Sequence, residues 1–135
     1  MRIVLDTNVL IAAFITRGAC SDLFEHCVRQ HQLIISDFIL NELRHHLSGK
    51  FKYSEQAVEE VTSLLKSKIE LVVPTALELA VCRDPDDDFI LGTAIAGNAE
   101  CIVTGDKDLL VIKQFRMIDI IHPSKFSQYE EKNIV

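Results

Sequence analysis

The chain has 135 residues, of which 48% are hydrophobic, and a formal net charge of −6. Such a length favours one domain with a buried core, and such a composition excludes a disordered chain. The negative charge excludes a protein that coats nucleic acid by bulk attraction, yet it is compatible with a nuclease whose acidic pocket is neutralised by cations.

Strand and helix patterns alternate from the first residues. Ile3-Val4-Leu5 is a short continuous apolar run, as expected for a strand covered on both faces. Val9 to Ile15 reads as a helix opened by Thr7 or Asn8 as cap. Gly18 breaks that pattern, and Ser21 to Arg29 reads as a second helix with Leu23, Phe24, Cys27 and Val28 inward. Leu33 to Ser36 is the second strand. After Asp37 comes a helix with Ile39, Leu40, Leu43 and Leu47 on one face. Ser54 caps a helix whose stripe is Ala57, Val58, Val61, Leu64 and Leu65. Leu71 to Val73 is the third strand, closed by Pro74, and Thr75 to Val81 is expected to form a short helix. Arg83 to Asp88 is a turn and helix start, Phe89 to Ala96 a helix, and Gly97-Asn98 its C-cap. Cys101 to Thr104 is the fourth strand and Met117 to Ile121 the fifth, ended by His122-Pro123. Ser124 to Lys132 reads as a terminal helix with a fraying tail. The alternation predicts a parallel α/β sheet between helices.

No apolar run reaches the roughly 18 residues that span a bilayer. Asp6 interrupts the N-terminal apolar stretch and no small-residue cleavage site follows, so no signal peptide is read and a cytoplasmic location is expected, with no membrane partner. Cys20, Cys27, Cys82 and Cys101 show no CxxC spacing and are expected to be buried or inert thiols.

In a parallel sheet, ligands bind beyond the carboxyl ends of the strands near the point where strand order reverses. Asp6 follows strand one. Asp106 lies just past strand four. Glu42 sits early in the helix after strand two, and Asp86, Asp87 and Asp88 open the helix leading into strand four. Each has an ordinary alternative: Asp6 as a helix cap, Glu42 as a solvated side chain, the aspartate run as turn and capping residues, Asp106 as a loop acid. Thr7 and Asn8 already offer caps, which makes Asp6 surplus to that role. The set carries the argument, because anions converging without nearby bases need compensation and oxygen-rich clusters suit hard divalent ions such as Mg²⁺ and Mn²⁺. Metal-assisted phosphodiester hydrolysis is the chemistry that fits.

Other chemistries find no support. GxSxG, Walker A and a GxGxxG after strand one are all missing. His45 and His46 are adjacent, so on a helix they diverge by about 100 degrees and make a poor metal pair. His26, His31 and His122 read as surface or cap residues.

The stretches "VLDTNVLIAA", "LNEL" and "DPDDDFILGTAIAGNAECIVTGDKDLL" together resemble the PIN domain, most closely the VapC-like toxin components of prokaryotic toxin–antitoxin systems. The resemblance runs over nearly the whole chain, in the family's order. It implies one PIN domain over residues 1–135, with residues 124–135 as a terminal helix or tail, and a parallel five-stranded sheet in the order 3-2-1-4-5 between helices. It also implies a Mg²⁺- or Mn²⁺-dependent endoribonuclease with an acidic quartet. By motif the quartet is Asp6, Glu42, Asp87 and Asp106, with Asp6, Asp87 and Asp106 as metal ligands. "DDFILGTA" resembles the family's D-x-x-I-x-x-T-A helix, which selects Asp87 and leaves Asp86 and Asp88 as competitors. Asn8 and Thr104 resemble the residues that hold the first acid and the metal waters. Asp108 is a satellite of Asp106, and Asp88 is grouped with these supporting residues.

On this reading Glu42 completes the metal shell or orients the attacking water, and the products carry a 5′-phosphate and a 3′-hydroxyl. RNA is the expected substrate, with a cognate antitoxin and a second copy of the chain as expected partners. Arg17, Lys50, Lys52, Lys107 and Lys113 are candidates to guide the strand, though an ordinary surface cation is the safer reading of each. Two rival readings are a non-catalytic PIN interaction module and a phosphatase with Asp6 as nucleophile. The second is weakened because Asn8 stands where a DxDx[TV] motif needs an acid.

Overall fold

Ile3, Val4 and Leu5 are all buried, although successive side chains on a strand point to opposite faces, so both faces of the sheet are covered here. The computed structural model describes residues 1–133. The strands are β1 (Arg2–Leu5), β2 (Gln32–Ser36), β3 (Glu70–Val72), β4 (Cys101–Val103), β5 (Gln114–Phe115) and β6 (Ile118–Ile121). The helices are α1 (Thr7–Ile15), α2 (Ala19–Gln30), α3 (Asp37–Ser48), α4 (Glu55–Lys68), α5 (Pro85–Ala96), α6 (Lys107–Leu110) and α7 (Phe126–Asn133), the last preceded by a 3-10 turn at Pro123–Lys125. The expected fraying of the tail concerns residues 134–135, which lie outside the described residues.

The sheet order is β3-β2-β1-β4-β6-β5. Pairing is parallel from β3 to β6, with Val4 opposite both Ile34 and Ile102. The expected order 3-2-1-4-5 is therefore present, with the anticipated fifth strand as β6. The sixth strand is an addition: β5 pairs antiparallel with β6 at the edge. Its hairpin needs Lys113 and Arg116 at φ of 67° and 55°, a left-handed conformation that side chains of this kind do not advertise. The chain builds outward from β1 to β3, then returns to the other side of β1 with β4. The reversal lies between β1 and β4, where such sheets open a crevice.

Two expectations fail locally, for identifiable reasons. Asp6, not Thr7 or Asn8, is the N-cap of α1; its extended backbone (φ −62°, ψ 154°) lets its side chain accept from the Thr7 N–H. Residues 75–81 form no helix. Thr75 N–H instead donates to the Gly92 carbonyl at 3.0 Å, while Val81 and Cys82 N–H groups donate to the Asp88 carboxylate. These bonds lash an irregular segment across α5, and a Cβ at Gly92 would lie 2.3 Å from the Thr75 carbonyl oxygen. Backbone donors committed to α5 are not available for helical i→i−4 bonding.

Cys27 and Cys101 are buried free thiols, and burial pushes both up to about 12, which keeps them protonated and unreactive. Among the described residues no helix is long and apolar enough to cross a membrane.

Candidate metal centre at the strand reversal

The junction of β1 and α1 has no loop residue to spare. Asp6 leaves the sheet with its N–H still bonded to the Val103 carbonyl of β4 at 3.0 Å. Its side chain is 6% exposed, and both carboxylate oxygens are held: Oδ1 accepts the Thr7 N–H at 2.6 Å and Oδ2 accepts the Thr104 hydroxyl at 2.6 Å. Thr104, the residue after β4, is fully buried. Its oxygen also accepts the Asp106 N–H at 3.0 Å, so one hydroxyl ties the two acids together across the crevice.

Asp106 caps α6, its Oδ1 accepting the Asp108 N–H at 2.9 Å. Asp84 caps α5, with Pro85 in the first turn where a missing N–H costs nothing. That cap turns Asp87 inward, to 9% exposure. Glu42, one turn into α3, is half-buried and accepts the Thr7 hydroxyl at 2.7 Å. Asp6, Thr7, Asn8, Glu42, His46, Asp84, Asp86, Asp87 and Asp106 line one cleft of about 180 Å³ with Ile90. The four acids expected from sequence thus meet at one place. Asp87, Asp106 and Asp108 each offer an oxygen, and these three lie within 4.8 Å of one another.

The electrostatics follow from that crowding. Burial raises the pKa of Asp6, the Thr104 and Thr7 hydrogen bonds oppose the rise, and the Asp106 charge adds to it. Burial likewise raises Glu42, against the Thr7 hydrogen bond and with the charges of Asp86 and Asp6. Asp87 is pushed up to about 7, first by burial, then by the charge of Asp106 and a hydrogen bond shared with it, then by Asp84 and Asp6. The cleft lining includes no lysine or arginine. Acids gathered without cationic side chains, in hard-oxygen form, fit a divalent ion of the Mg²⁺ or Mn²⁺ class.

The supporting residues divide. Thr104 sits as expected. Asn8 lines the mouth but, among the described residues, makes no hydrogen bond to Asp6. Asp88 is absent from the cleft lining and accepts the Val81 and Cys82 N–H groups instead; Asp86 lines the cleft but is exposed. Thr7, Asp84 and His46, which the sequence does not single out, also line the cleft, His46 one turn beyond Glu42. Beside the cleft, Arg83 Nη2 donates to both Asp108 oxygens at 3.0 Å.

A second cluster lies elsewhere. Nε2 of His26 and of His31 approach the same Glu130 oxygen at 2.6 and 2.5 Å. The protonated Met1 amine stands 2.9 Å from His31 Nδ1, so Nδ1 accepts and Nε2 keeps its hydrogen for Glu130. This is a hydrogen-bonded clasp between α7 and the end of α2, with the His31 side chain 3% exposed.

Comparison with known families matches residues 2–108 to the PIN domain. No curated protein sequence matches the chain. Among solved structures, the chain is similar to VapBC2 from Rickettsia felis bound to a promoter DNA fragment, with 21% identity and a TM-score of 0.62 over 90% of this chain and 98% of that one. It is similar to VapBC-1 from nontypeable Haemophilus influenzae at 19% identity and TM-score 0.63, covering 93% and 100% of the two chains. It is also similar to VapC20 from Mycobacterium tuberculosis, a toxin that cleaves the sarcin-ricin loop, at 13% identity and TM-score 0.60, covering 87% and 98%. These likenesses concern the fold.

Proposed function

The chain belongs to the PIN domain family, and from that premise we propose that it is a metal-dependent endoribonuclease of the VapC-like toxin type, acting in the cytoplasm. The observation that carries this reading is the meeting of Asp6, Glu42, Asp87 and Asp106, far apart in sequence, in one cleft.

Asp6, Asp87 and Asp106 would hold the ion, and Asp108 offers an oxygen close to those of Asp87 and Asp106. When bound, Mg²⁺ or Mn²⁺ supplies the positive charge that acidifies a water and offsets charge developing on the phosphate oxygens. Thr104 fixes the orientation of Asp6 so that the ligand oxygens need not be ordered on binding. Glu42, held by Thr7 through Oε1, keeps its other oxygen to orient the attacking water. The cleaved strand then leaves with a 5′-phosphate and a 3′-hydroxyl. A cognate antitoxin is the proposed partner, a reading supported by the VapBC assemblies of the similar structures; a second copy of the chain is proposed beside it.

The test is cleavage of a fluorescent RNA by wild type and Asp6→Asn, with Mg²⁺, Mn²⁺ or EDTA. Cleavage abolished by EDTA and by Asp6→Asn supports the nuclease. Release of phosphate from small phosphomonoesters without any RNA cut overturns it in favour of the phosphatase. Silence in both assays with tight antitoxin binding overturns it in favour of the interaction module.

A further inference from the structure

An RNA strand reaching this cleft meets six carboxylates, Asp6, Glu42, Asp84, Asp86, Asp87 and Asp106, and no cation in the lining. Arg83, which pairs with Asp108, holds a positive charge beside the cleft's acids. It directly precedes Asp84, the cap of α5, and its partner Asp108 lies two residues beyond Asp106, the cap of α6. Arg83 therefore stands on the rim where the two acid-bearing helix starts converge.

The form of its pairing matters. Only Nη2 is engaged, with both Asp108 oxygens at 3.0 Å. Among the described residues, Nε and Nη1 make no hydrogen bond, and the side chain is 84% exposed. An exposed pair of this type is weak and screened by salt, so Asp108 parks the guanidinium without locking it. A planar fork with free donors suits two oxygens of a phosphodiester better than any lysine ammonium does. Among the described residues, Lys107 and Lys113, candidates from sequence to guide the strand, form no salt bridge, whereas Arg83 pairs with Asp108.

We propose that Arg83 is a substrate-positioning residue, whose guanidinium transfers from Asp108 to a backbone phosphate flanking the scissile bond. The assignment rests on the ribonuclease reading and deepens it. Asp108 thereby serves as a docking point that keeps Arg83 at the rim between substrates.

Binding of a fluorescein-labelled single-stranded RNA of mixed sequence is measured on the Asp6→Asn background in EDTA, across a salt series. Steady-state cleavage with Mn²⁺ is measured on the Asp6 form. Arg83→Ala is expected to weaken binding about tenfold and to reduce the salt slope by about 0.7, one phosphate contact on a single strand. In cleavage, KM rises far more than kcat falls. Arg83→Lys recovers the salt slope but only part of the affinity, and Asp108→Asn, which releases Arg83, binds RNA at least as tightly as its parent. An unchanged salt slope in Arg83→Ala, with RNA still cleaved by wild type, overturns the Arg83 assignment and leaves the nuclease standing. Equal weakening by Asp108→Asn and Arg83→Ala overturns it too, since the pair would then act only as a structural brace. A wild type that neither binds nor cuts RNA overturns both readings.

Discussion

The Thr104 hydroxyl donates to Asp6 Oδ2 at 2.6 Å and accepts the Asp106 N–H at 3.0 Å, so a single buried oxygen links the ends of the two strands that flank the sheet reversal. Removing it leaves Asp6 one donor short in a site where burial already raises its pKa. Thr104→Val, nearly the same volume, is expected to lower Mn²⁺ affinity and RNA cleavage about 10–100-fold. Thr104→Ser retains the hydroxyl and most of both. Calorimetric Mn²⁺ titration alongside the cleavage assay checks this; equal loss in Val and Ser variants would point to packing rather than the hydrogen bond.

The acid cluster also sets how stability depends on pH. A carboxyl whose folded-state pKa is raised binds more protons folded than unfolded, so stability falls as pH rises between the two values. For Asp87 that interval runs from its ordinary 3.8 to about 7, and Asp6 and Glu42 shift in the same direction. Metal-free protein should therefore melt at a lower temperature at pH 8 than at pH 5. Asp87→Asn should raise the pH 8 melting temperature while abolishing cleavage. Mn²⁺ should stabilise wild type more at pH 8 than at pH 5, where protons compete with the ion for the carboxylates. Melting curves in EDTA and in Mn²⁺ read all three effects.

The clasp on α7 behaves with the opposite sign. Burial pushes the Glu130 carboxyl up, but the hydrogen bonds from His31 and His26 outweigh it and leave the pKa lowered from 4.5. Its stabilisation is present above 4.5 and lost as pH falls through the lower folded value. Glu130→Gln should cost about 1 kcal/mol at pH 7, a difference that closes as pH falls through the lowered folded value. Urea unfolding of both proteins over that range measures it, and a difference constant with pH would contradict the ionised clasp.

Gly92 is where the irregular segment crosses α5. An added Cβ would meet the Thr75 carbonyl oxygen at 2.3 Å, a backbone atom that cannot turn aside. Gly92→Ala should destabilise by about 1–3 kcal/mol, despite alanine's better helix propensity. Urea midpoints decide between the two effects.

The parallel core was legible because Ile3-Val4-Leu5, Leu33 to Ile35 and Cys101 to Val103 are apolar runs with no alternation, which only doubly covered strands tolerate. The acids were legible because they fall just past strand ends or at helix starts. What escaped has a common cause: partners remote in the chain. Residues 75–81 have a helix-compatible composition, but the N–H groups at their two ends, Thr75 and Val81, are taken by Gly92 and Asp88. Asp88 is chemically identical to Asp87 and differs only in the face of α5 that it occupies. Arg83 looks like any turn arginine until Asp108, 25 residues on, is brought beside it. Asp6 was judged surplus as a cap, yet it caps α1 with one oxygen and meets Thr104 with the other. A carboxylate has two oxygens, so capping a helix with one leaves the other for a second partner.

The most direct measurement is anomalous diffraction from crystals of this protein soaked in Mn²⁺. The account predicts a peak in the cleft within bonding distance of Asp6, Asp87 and Asp106, lost in Asp87→Asn. Ordered Mn²⁺ bound only outside the cleft, with those three carboxylates bare, would contradict it.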